Sequence, residues 1–179
     1  MLIEVAVLLK MQLYLGRPVL ALGVALFAFL LASGAGSRST TRVSDAGVPR
    51  AIGVAVAVVV GYGLLFRLAW PHVFAASLWL AAGWRSAIAV AAIAPLAAGM
   101  GTLFPLGVRL IGDERSLLPW AWAANGCFSV FGIFASRIVG LFWGFDRAPL
   151  IGFGVYLLTA ACALGHARAR RADRRLDPG

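Results

Sequence analysis

Residues 98–125, AGMGTLFPLGVRLIGDERSLLPWAWAAN, decide how the chain is read. A glycine-punctuated apolar run leads into a charged island at Arg109, Asp113, Glu114 and Arg115, and Pro119 then opens a second apolar run. Two apolar runs joined by a short charged turn make a pair of membrane helices meeting at one surface. Asn125 is a polar residue set inside the second of them.

Working outward, the whole chain follows the same grammar. Of 179 residues, 61% are hydrophobic and only 13% charged, with a mean hydropathy of +0.90. A soluble domain needs about 25% charged residues to cover its surface, so most of this surface must face lipid. The net charge of +9 would suit nucleic acid, but the arginines lie between apolar runs and in the C-terminal tail. That is the positive-inside distribution rather than a basic groove, and no nucleic-acid partner is expected. Glu4 and Lys10 interrupt the first apolar run, and residues 16–18 (GRP) do not make a small-residue cleavage site, so no cleavable signal peptide is read.

The pattern predicts an all-α integral membrane protein of about six helices, five full spans plus a short N-terminal helix. The spans are expected at 1–15 (partial), 18–36, 50–68, 86–110, 119–143 and 148–165. Together they form a helical membrane domain over 1–166, followed by a basic, disordered tail over 167–179. Fifteen helical residues reach about 22 Å, short of the ~30 Å hydrocarbon core. The first helix is therefore either partly interfacial or the end of a longer span. Residues 70–72 (WPH) are expected to break the third span, leaving an interfacial connection after them. Placing the tail in the cytoplasm puts ten arginines inside and four outside, which sets the expected orientation. The lipid bilayer is the expected partner.

Residues 32–38 (ASGAGSR) echo residues 97–103 (AAGMGTL), which leaves open a repeat of helices one to three in helices four to six. Asn125, Ser129, Gly132, Ser136 and Gly140 recur at helical spacing along one face. Such a stripe is either a close helix contact or the lining of a substrate path. Arg137 either snorkels to the outer headgroups or binds a substrate within the membrane. Arg109 and Glu114, with Asp113 and Arg115, form either a salt-bridged turn or a gate. Glu4 and Lys10 lie six residues apart, too far round a helix to pair, so each needs a partner elsewhere. Cys127 and Cys162 read as small buried hydrophobes, and His72 and His166 are far apart, so no metal or cofactor is expected. Dinucleotide, P-loop and nucleophile-elbow signatures are missing from the sequence, so no catalytic residue is assigned.

The runs LYLGRPVLALGVALFAFLLASGAGSR, MGTLFPLGVRLIG and LLPWAWAANGCFSVFGIFAS resemble the C-terminal membrane region of bacterial multi-spanning spermidine-synthase-like proteins. The resemblance covers about residues 4–165 and rests on Pro105, Gly107 and Arg109, and on Pro119, Trp120, Trp122, Asn125 and Gly126. It implies major-facilitator-like helices, half of such a bundle in this chain, in a bacterial inner membrane. It further implies a non-catalytic module that anchors or serves a separate aminopropyltransferase-like domain. The synthase-like sequence itself is not among these residues, so none of its catalytic positions carries over. Two alternatives stand beside this reading: a half-transporter that dimerises to move a small solute such as a polyamine, and a truncated remnant.

Overall fold

The computed structural model describes residues 1–112 and 115–176, with side chains up to Gly165 apart from that of Arg115. The described residues fold as six α-helices without a strand, and the chain is 91% helical. The helices are α1 (Leu2–Leu15), α2 (Pro18–Ser39), α3 (Val48–Ser77), α4 (Ala82–Ile111), α5 (Leu118–Trp143) and α6 (Ala148–Leu176). Five of them, all but α1, are long and apolar enough to cross a membrane. The protein is an all-α integral membrane protein.

The turns follow from a few residues. Gly16 ends α1 in the left-handed region at φ 66°, and Pro18 starts α2 with its ring at a first-turn position that needs no N–H donor. Gly144 has φ 83° at the end of α5.

Three prolines sit inside helices, and at Pro71 the sequence reading expected a break. α3 runs unbroken through Pro71, and α4 runs unbroken through Pro95 and Pro105. An internal proline removes one backbone hydrogen bond and costs about 3 kcal/mol. Around Pro71 an aromatic cluster offsets that loss. Phe66 stacks on Trp70 at 5.0 Å, Tyr14 of α1 meets Trp70 edge-on at 5.0 Å, and Phe74 lies 5.5 Å from Tyr14. The Tyr14 and Ser77 hydroxyls are 2.6 Å apart, and Arg85 of α4 lies over the Tyr14 ring. The expected interfacial connection after residue 72 is therefore mostly the last turn of α3. At the C-terminus α6 continues to Leu176, where a disordered tail was expected from 167.

α1 is not peripheral to the bundle. It packs against α2, α4, α5 and α6, and buries Ile3, Ala6, Val7, Met11, Tyr14 and Leu15. Most of the main core forms around this short helix, while a smaller cluster of Val48, Ile52, Val56, Leu106 and Ala163 joins α3, α4 and α6.

The echoed segments of α2 and α4 meet each other. A Cβ at Gly36 would strike the backbone of Ala98, and one at Gly101 would strike the backbone of Ser33. In the echo, position 33 matches 98 and position 36 matches 101, so the two contacts are reciprocal. Two backbones approach this closely only where side chains are minimal. A repeat of helices one to three in four to six would pair α2 with α5. The echo falls instead on two helices in contact, and close packing accounts for it.

Candidate functional site

The α5 stripe divides along its length. Gly132, Ser136 and Gly140 are buried, with Gly132 against Met1 and Gly140 against the Phe145 ring. Nearer the start of the helix, Asn125 and Ser129 line a cleft of about 700 Å³ together with Ile133 and Arg137. Residues 125, 129, 133 and 137 are spaced by four, so one helix row faces the void along about 18 Å. The stripe is thus a packing surface at one end and a cavity wall at the other.

Other helices complete the polar lining. α1 contributes Glu4 and Gln12, α2 contributes Ser33, and α6 contributes Tyr156. Leu8, Phe29, Ala97 and Met100 supply apolar wall between them. Ser129 donates its hydroxyl to the Asn125 backbone carbonyl at 2.7 Å. This is a mostly apolar void with a few convergent polar groups, the usual constitution of a small-molecule site.

Depth within the bundle follows from the contacts of α1. Met1 packs on Gly132, and α1 and α5 run in the same direction. Glu4 lies about 4.5 Å beyond Met1 along its helix, and Arg137 about 7.5 Å beyond Gly132 along its own. The backbone positions of Glu4 and Arg137 therefore stand at nearly the same level, yet among the described residues the two side chains form no ion pair with each other. Glu4 lies 3.2 Å from the Met1 nitrogen. A charge of each sign facing one cleft can hold a solute that carries complementary groups. Arg137 belongs to this wall and is exposed.

The remaining predicted positions lie elsewhere. Ser136 is fully buried, and its hydroxyl has no hydrogen-bond partner. Arg109 has partners far from it in sequence. It reaches back to the α2–α3 connection, donating to the carbonyls of Thr40 at 2.9 Å and Val43 at 2.8 Å and pairing with Asp45. Long-range partners in a loop of short 3₁₀ turns were not legible from local charge spacing. Glu114, with Asp113, lies outside the described residues. Cys127 and Cys162 are exposed rather than buried, because the helix faces that carry them point outward from the bundle. Among the described residues no cluster of histidine, cysteine or carboxylate side chains could hold a metal.

At the end of the bundle remote from Arg109, Lys10 finds the partner that its position required. It donates to Asp146 in the α5–α6 turn at 2.7 Å, and Arg67 of α3 donates to the Asp146 carbonyl. The Lys10 hydrogen bond holds the Asp146 carboxyl below the usual carboxylate range, with the charges of Lys10 and Arg67 acting in the same direction against partial burial. One carboxylate thereby ties α1, α3 and the α5–α6 turn. Sequence reading missed Gln12, Ser33 and Tyr156 as lining. Glu4 and Gln12 do stand two helical turns apart, the one signal that α1 has a polar row.

Protein-family models, curated proteins and solved structures contain no match to this chain.

Proposed function

We propose that this chain is a non-catalytic membrane module that holds a small amine-bearing solute in the cleft between α1, α2, α5 and α6. The observation that carries the proposal is the convergence of Glu4, Gln12, Asn125 and Arg137 on one void of about 700 Å³ inside a bundle of apolar helices. Charged groups within a membrane domain are costly and are retained where they line a path or meet a ligand. Glu4 faces the amine, while Arg137 and Asn125 face an acidic or carbonyl group.

The setting comes from the sequence resemblance. In a spermidine-synthase-like system the module anchors or serves a separate aminopropyltransferase-like domain, with the Arg109-braced end toward the cytoplasm, in a bacterial inner membrane. The bracing of that end by Arg109, a residue of the FPLG-x-R signature, supports a fixed surface for such a partner. The same cleft supports the half-transporter reading, in which two copies pass the solute across the bilayer.

Equilibrium binding of radiolabelled putrescine, spermidine and a neutral amino acid to the purified protein tests the proposal. Glu4→Gln should weaken binding of every amine by roughly tenfold or more, the worth of a hydrogen bond to a charged group. Arg137→Gln should weaken the amino acid alone. Saturable binding unchanged by Glu4→Gln would remove the cleft from consideration. Uptake into proteoliposomes by a cross-linked dimer would favour the transporter over the serving module.

A further inference from the structure

A second void lies on the opposite side of α4. It is a groove of about 590 Å³ between α3 and α4, walled by Val54, Val58, Pro95, Ala98, Thr102 and Leu106. Gly47, Arg50 and Ala51 close one end of it. From Arg50 to Val58 the groove follows α3 for about 12 Å, close to the ~15 Å thickness of one hydrocarbon leaflet.

The closed end has the chemistry of an anion site. Gly47 is the N-cap of α3, Arg50 and Ala51 belong to its first turn, and that helix start has no side-chain cap. Gly47 and Val48 already donate their N–H groups to the Ser44 and Asp45 carbonyls and Pro49 has none, so the helix dipole and the Arg50 guanidinium supply the positive field there. Arg50 is exposed and, among the described residues, forms no ion pair. Asp45 is the only carboxylate in residues 37–50, and Arg109 engages it. Arg38 and Arg42, both exposed, add positive charge to the same connection. An apolar slot about one leaflet deep, ending beside the exposed arginines Arg38, Arg42 and Arg50, matches a phospholipid with an anionic headgroup.

We propose that this groove binds one anionic phospholipid, its phosphate at Arg50 and the first turn of α3 and an acyl chain along Val54 and Val58. The site is separate from the solute cleft and does not depend on it. Lipid-stripped protein in neutral detergent would be titrated with phosphatidylglycerol, with phosphatidylcholine of the same acyl chains, and with glycerol 3-phosphate. Binding would be read by native mass spectrometry and by the shift in Tm. Phosphatidylglycerol should bind at one site and raise Tm, phosphatidylcholine should bind more weakly, and glycerol 3-phosphate should produce no shift. Arg50→Gln should weaken phosphatidylglycerol about fivefold, the worth of one arginine near an anionic surface. Val54→Trp fills the groove from its exposed wall and should abolish the shift while leaving the protein monodisperse. Equal binding of the two lipids, an unaltered affinity in Arg50→Gln, or a full response to glycerol 3-phosphate would each overturn the proposal.

Discussion

α1 and α5 are placed in reverse of what their hydropathy suggests. α1 is short and carries Glu4, Lys10 and Gln12, yet Met11 and Tyr14 in its second half are fully buried. α5 is a full-length span with an apolar window, yet only 11% of that window is buried, and Trp120, Phe128, Phe131, Leu141 and Phe142 all face outward. In water the greasier helix would move inside. In lipid the tails solvate leucine and phenylalanine as well as a protein core does, so apolarity does not drive a helix inward. Polar groups that need partners, and small residues that permit close approach, do. α1 has the first kind of claim on the interior, through Lys10 with Asp146 and through Tyr14 with Ser77.

The sharpest way to break this contrast is to truncate one side chain on each helix. Met11→Ala should destabilise the bundle by about 2–5 kcal/mol, the cost of an unfilled core cavity. Phe131→Ala removes more atoms from α5 but should change stability by less than about 0.5 kcal/mol, because lipid replaces the ring. Unfolding in mixed micelles measures both. Equal losses would mean that α5 is buried against something in the membrane.

The next test concerns the tie that holds α1 in place. Asp146 is held below the usual carboxylate range in the folded protein, so its contribution is fully present above the unfolded value. It is lost as pH falls through the depressed folded value. Lys10→Met should abolish that acid-side loss and lower stability at neutral pH by about 1 kcal/mol or less, since Asp146 is largely exposed. A melting profile across acidic pH that stays identical to wild type would show that the tie contributes nothing.

The smallest expected effect separates the two halves of the α5 stripe. Ser136→Ala removes a buried hydroxyl that has no partner, and should be neutral or stabilising by about 1 kcal/mol. Asn125→Leu should leave stability unchanged, because Asn125 faces the cleft, while reducing solute binding. A loss of stability in Ser136→Ala would reveal a hydrogen-bond partner, such as a bound water, inside the contact.

Much of the fold was legible without coordinates. Five spans, the short first helix, the turns at Gly16, Gly112 and Gly144, and the stripe through Asn125 and Ser136 all follow from apolar run length, glycine placement and helical spacing. These are local properties, fixed within a few residues by the cost of unpaired backbone groups in hydrocarbon. The continuity of α3 through Pro71 was not legible, because the aromatic contacts that offset the proline come from Tyr14, more than fifty residues earlier.

The site divides in the same way. Sequence alone put Asn125, Ser129 and Ser136 on one helix face and left Glu4 and Lys10 in need of partners. Only the tertiary structure decided that Ser136 packs while Asn125 and Arg137 border a void, that Glu4 shares their level, and that Arg109 turns away to Asp45. The segment at 98–125 that set the topology, the end of α4 and the start of α5, is thus a junction between these two outcomes. Helical spacing determines which residues share a face. What that face meets depends on helices distant in the chain, and in lipid no hydrophobic gradient announces the answer in advance.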